Sequence, residues 1–159
     1  MSLAESRADP GEAVSAGLTL AEGEREVLAF EAAGFARAVT DPAARARFEG
    51  LSVAAASGVV PDVLVPTVEA MLELVFDKGR PSNRAVLQAI FGKTPRGRQQ
   101  AAAAREVNQA LRALRGQRLQ DVRLSAGPNR HTVILETDRC RLTLELDSAG
   151  ARVASLEAG

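Results

Sequence analysis

His131 and Cys140 are each the only residue of their type in a chain of 159 residues, so they are the first candidates for a base and its nucleophile. Their spacing argues against that role. If Asp138-Arg139 is a two-residue hairpin loop, 137 faces 140, 136 faces 141, 135 faces 142 and 133 faces 144. His131 and Cys140 then share a face at opposite ends of the hairpin, on the order of 20 Å apart at about 3.3 Å per residue. A working dyad needs about 3 Å. A packed cysteine and a histidine at the sheet rim are the expected reading.

Gly92-Lys93-Thr94 looks like the end of a phosphate-binding loop. That loop requires a glycine five residues before Gly92, where Leu87 stands, and a helix directly after the lysine, where Pro95 follows Thr94. A helix–helix connector is expected instead. Paired carboxylates come third: Glu69 and Glu73 share a helix face at i, i+4, and Glu22, Glu24 and Glu26 gather in a first helical turn. Di-metal bundles want Glu-x-x-His units, and the one histidine belongs to the expected sheet. Solvated helix faces are the expectation, with no metal and no cofactor.

The fourth candidate is a charge pattern. Residues 1–78 carry a net charge of −7, residues 79–118 a net of +8, and residues 119–159 a net of −1. The basic block holds Arg80, Arg84, Lys93, Arg96, Arg98, Arg105, Arg112, Arg115 and Arg118 against Glu106 alone. Arg98, Arg105 and Arg112 are seven apart, which on a helix makes a stripe roughly 140° from the face of Val107, Leu111 and Leu114. Successive members lie about 10.5 Å apart along the axis at 1.5 Å per residue. Arg96, Arg98, Arg105, Arg112 and Arg115 are therefore the expected contacts for an anionic partner.

The competing explanation is compositional. Eighteen of the twenty basic residues are arginine, as a GC-rich coding sequence produces, and such a chain places arginines on any exposed helix face. The acidic first half can also neutralise the basic block within one molecule or across a dimer. With no Trp, no Tyr and five Phe, stacking on exposed bases is not expected. The ordering is a non-enzymatic interaction module first, binding an acidic partner or a second copy of itself through the acidic/basic asymmetry. Sequence-independent nucleic-acid binding through residues 80–118 comes second, and a small-ligand site or enzyme third.

Composition bounds the rest. Hydrophobic residues make up 46%, charged residues 25%, and the formal net charge is zero; this is ordinary globular usage and argues against wholesale disorder. One cysteine excludes an intrachain disulfide framework and a multi-Cys zinc site. The opening residues carry Glu5, Asp9 and Glu12 without an apolar run, unlike a signal peptide. The most apolar stretch, residues 59–76, contains Asp62, Glu69, Glu73 and two prolines, so no membrane span is expected. Cytoplasm is the expected location.

The elements that position these residues follow from periodicity and punctuation. Residues 1–17 read as a flexible tail and 18–159 as a single α+β domain, helical over 18–116 and sheet over 117–159. Thr19 and Glu22 have the form of a capping box, followed by a helix with Val27, Phe30, Gly34 and Ala38 on one face. Asp41-Pro42 opens a second helix, ended by Gly58. Val65, Val68, Met71, Leu72, Val75 and Phe76 form a helical stripe finished by Lys78 and a left-handed Gly79. Pro81-Ser82 starts a short helix with Val86, Leu87, Ile90 and Phe91 inward, stopped by Gly92. Thr94-Pro95 caps a long one over 96–115, closed by Gly116. Beyond it the period becomes two, with turns at 126–129 and 147–150. The expected fold is a layer of four to five helices packed on an antiparallel meander of three to four strands, the last helix laying Val107, Leu111 and Leu114 on the sheet's leucine face.

Overall fold

A computed structural model describes residues 17–79 and 81–159. Among the described residues the layout is α+β, with five α-helices preceding a four-stranded antiparallel sheet. The chain divides into two compact units, Met1–Ile90 and Phe91–Gly159. The flexible tail expected over 1–17 lies outside the described residues except for Gly17, as does Arg80. Among the described residues no helix is long and apolar enough to cross a membrane.

In the first unit, β1 (Leu18–Thr19) pairs antiparallel with β2 (Val59–Val60), a two-residue ladder around helices α1 (Glu22–Ala38) and α2 (Pro42–Ser57). Thr19 is therefore a strand residue and not the cap expected from sequence. The N-cap of α1 is Ala21, and its N–H donates to Glu24 Oε2 at 2.7 Å. At α2 the expectation holds: Asp41 accepts from the Ala44 N–H at 2.7 Å, and Gly58 closes the helix at φ 93°. Only glycine adopts that left-handed conformation without steric cost.

Helix α1 buries Leu28, Ala32 and Ala36 and leaves Phe30 67% exposed. The sequence had suggested the face of Val27, Phe30, Gly34 and Ala38. The small residues face inward because α1 and α2 lie close together: Ser52 Oγ donates to the Ala29 carbonyl at 2.9 Å, and the rings of Phe35 and Phe48 stand 5.3 Å apart. A 3-10 turn, Asp62–Leu64, leads into α3 (Val65–Lys78), which buries Val65, Val68, Met71 and Leu72 as its stripe predicts. Gly79 departs from expectation, being extended at φ 172° rather than left-handed.

Helix α4 (Arg84–Lys93) runs through Gly92 and is followed, after Thr94 alone, by α5 (Pro95–Ala113). Leu87 and Ile90 are fully buried. Gly116, at φ 78°, follows the end of α5.

The second unit is α5 and the sheet β3 (Leu119–Gly127), β4 (Arg130–Thr137), β5 (Cys140–Asp147) and β6 (Gly150–Ala158), hydrogen-bonded in that order. The β4–β5 register matches the one read from the leucine pattern, with Glu136 facing Arg141, Leu135 facing Leu142 and Val133 facing Leu144. Val107 and Ala110 of α5 bury Leu142 and Leu144, with Leu114, Val133, Leu135, Ala151 and Val153 packed around them. Leu111, expected inside, is 38% exposed and Ala110 takes its place. A small side chain there lets the helix backbone come close to the sheet. Helix α5 lies mainly over β6 and β5, so all of β3 stays exposed.

Candidate functional site

The arginine face of α5 belongs to a helix whose start is fixed by Phe91 and Thr94 just before it. Thr94, fully buried, is its N-cap: Oγ1 accepts from the Gly97 N–H at 3.1 Å and donates to the Phe91 carbonyl at 2.8 Å. Both capacities of the hydroxyl are used locally, so the Gly-Lys-Thr segment is the connector expected and no phosphate cradle. Gly97 is required by proximity, since a Cβ there would lie 1.8 Å from the Phe91 carbonyl oxygen. This close contact holds the start of α5 against the Phe91 backbone.

From that start, helical geometry places the stripe. Arg98, Arg105 and Arg112 are all exposed and lie almost opposite the buried positions Val107 and Ala110 at 100° per residue. Arg115 is exposed as well, just past the helix. Arg96 separates from the group: it is half-buried, already has an interaction partner, and sits about 200° around the helix from Arg98. Arg98 donates from Nη1 to the Lys93 carbonyl, which anchors the side chain without neutralising it. Among the described residues, Arg98, Arg105, Arg112 and Arg115 form no ion pair.

The arginines of the sheet behave differently. On the face turned away from α5, Glu136 accepts from Arg141 of β5 and, at 2.7 Å, from Arg123 of β3. One strand over, Glu145 accepts from Arg152 of β6 and, at 3.1 Å, from Arg130 of β4, while Arg152 also reaches Asp147 at 3.0 Å. The Arg141 hydrogen bond, with Arg123, holds the Glu136 carboxyl below its ordinary range; Arg152, with Arg130, does the same for Glu145. In return Glu136 raises Arg141 and Glu145 raises Arg152. Each carboxylate thus has one directly opposite and one diagonal arginine, the geometry in which cross-strand charges attract.

The other candidates separate. His131 pairs with Leu146 and Cys140 with Ala158, at opposite ends of the β4–β5 hairpin, so no dyad forms. Cys140 Sγ lies 3.2 Å from Gln117 Oε1 and 3.4 Å from Thr137 Oγ1. The same Thr137 hydroxyl accepts the N–H groups of Arg139 and Cys140, and Asp138 Oδ1 accepts from the Arg118 N–H at 2.9 Å. These bonds explain how Asp138-Arg139 forms a tight turn without glycine. Glu69 and Glu73 are half-buried on α3 with partners of their own, and Glu24 is occupied in capping α1. Among the described residues no three potential metal ligands come together.

Compared with known proteins, the chain matches no family model, no curated protein and no solved structure.

Proposed function

We propose that this protein is a cytoplasmic, non-enzymatic interaction module that docks an acidic surface of a protein partner on the exposed arginines of α5. One contrast supports the reading. Arg123, Arg130, Arg141 and Arg152 on the sheet are each held by a carboxylate of the same chain, whereas Arg98, Arg105 and Arg112 on α5 have no carboxylate beside them among the described residues. Composition alone spreads arginines without regard to neighbours. Here three arginines recur along one helix face about 10.5 Å apart, a spacing that presents positive charge to an extended anionic surface.

A second reading, sequence-independent binding of nucleic acid, draws on the same unpaired charges. Without Trp or Tyr it would rest on phosphate contacts alone, which position a protein on a strand but do not read it. The two are separated by anisotropy titrations of a labelled polyglutamate peptide and a labelled DNA duplex at several salt concentrations. The proposal expects the peptide to bind, and binding to weaken with salt as screening sets in. Tighter binding of the duplex moves the assignment to nucleic acid. No binding of either at about 50 mM salt, where the screening length exceeds 10 Å, overturns both.

A further inference from the structure

We infer that the free edge of β3 pairs antiparallel with β3 of a second copy of this chain, on a two-fold axis at Val122. This surface is separate from the arginines of α5. The strand is nine residues long, hydrogen-bonded to β4 on one side only, and exposed throughout. Cross-strand register puts Val122 opposite Leu135 and Leu124 opposite Val133, on the face that carries Leu142 and Leu144. Beneath α5, Leu142 and Leu144 of that face are buried; on β3 it is open, with Leu119 56%, Val122 51% and Leu124 70% exposed. The other edge of the sheet, β6, lies under α5.

Soluble proteins usually blunt a long open edge with lysine, proline, a central bulge or a covering element. Residues 121–127 contain neither lysine nor proline, and the one irregularity of the β3–β4 ladder falls at the end of the strand, between Leu119 and Asp121. The two charges on this stretch, Asp121 and Arg123, have opposite sign. They sit two residues apart on the face turned away from the apolar one and pair with each other at 2.9 Å, both side chains about half exposed, so each can also meet the opposite charge of a second copy.

That arrangement identifies the partner. In an antiparallel pair centred on Val122, Asp121 of each copy stands opposite Arg123 of the other, so one two-fold seam makes two favourable cross-strand pairs. Centring on Asp121 or on Arg123 would oppose like charges. Arg123 already reaches Glu136 diagonally at 2.7 Å, and Glu136 reaches Arg141, so the seam adds Asp121 of the second copy to an existing chain of charge contacts. On the opposite face it joins the two open apolar strips around Val122. The segment carries no net charge to draw a partner of one sign, and its complement is its own reverse.

Size-exclusion chromatography with light scattering and refractive-index detection tests this on the full chain, which lacks Trp and Tyr and barely absorbs at 280 nm. Twice the chain mass is expected at high concentration. Asp121→Arg should give the single-chain mass and remain folded by circular dichroism: it loses the 2.9 Å ion pair with Arg123 of its own strand but comes to face Glu136 across the β3–β4 ladder. Arg123→Asp should also lose the dimer. An equimolar mixture of the two variants should regain it, since two arginines of one chain then face two aspartates of the other. A wild-type protein monomeric at every concentration, or an Asp121→Arg protein that dimerises as well as wild type, overturns the inference. So does a mixture of folded variants that stays monomeric. Neutralising the α5 arginines leaves this result unchanged, so the two proposals fail separately.

Discussion

Glu136 of β4 stands directly opposite Arg141 of β5, and its other carboxylate oxygen takes the guanidinium of Arg123 from β3 at 2.7 Å. Glu145 repeats the arrangement one strand over with Arg152 and Arg130. Arg123, Arg130, Arg141 and Arg152 thus find carboxylates within the sheet, whereas Arg98, Arg105 and Arg112 of α5 find none among the described residues.

This relationship fixes a pH dependence. Both carboxyls are held below their ordinary value in the folded chain. A depressed folded-state value contributes stability above the unfolded pKa, about 4.3 for glutamate, and that contribution is lost as pH falls through the lower folded value. The melting temperature should accordingly hold steady with respect to these groups above about pH 5 and decline below it. Glu136→Gln should melt lower than wild type at pH 7 and close on it in acid. A gap that stays constant from pH 7 to pH 3 would contradict the assignment.

The half-covered sheet predicts opposite outcomes for two leucines. Leu142 is fully buried beneath α5, and Leu142→Ala should cost about 2–5 kcal/mol in urea unfolding. Leu124, 70% exposed on β3, should tolerate alanine within about 0.5 kcal/mol in the monomer. Equal costs would mean that α5 does not cover the sheet as described.

Gly97 and Gly50 form a second contrast. At Gly97 a Cβ would collide with the Phe91 backbone, whereas at Gly50, inside α2, it meets nothing within 4 Å. Gly97→Ala should lose about 1–3 kcal/mol through strain against the Phe91 carbonyl. Gly50→Ala should gain about 0.5–1 kcal/mol from helix propensity. A neutral Gly97→Ala would show that the start of α5 is not held by this contact.

Much of the sheet was legible in the sequence because register errors are costly there. A one-residue slip at Asp138-Arg139 would scatter the leucines to both faces and part Glu136 from Arg141, so pattern and charge select one pairing. The helices were less legible where small residues do the packing. Ala32, Ala36 and Ala110 are buried while Phe30 and Leu111 are exposed, because close helix contacts select for size as well as hydrophobicity. The β1–β2 ladder is two residues per strand, too short for alternation to register. Of the arginine face, the seven-residue spacing put Arg98, Arg105 and Arg112 on one stripe away from Val107, but whether that stripe is exposed was not legible. The same arithmetic, carried to Arg96, places it around the helix on the buried side, a signal present in the sequence and not used. The closed charge network of the sheet could not be read from composition, since it depends on diagonal neighbours such as Arg123 and Glu136 across a register known only from the fold.

The central claim is that α5, and not arginine content as such, binds the acidic partner. The direct measurement is the affinity of a labelled polyglutamate peptide for wild-type protein, for Arg98→Gln/Arg105→Gln/Arg112→Gln, and for the single control Arg152→Gln, each across a salt series. The account predicts that the triple variant loses most of the salt-dependent binding while the control retains it, because Arg152 is already occupied by Glu145 and Asp147. Binding undiminished in the triple variant, or weakened equally in the control, would contradict it.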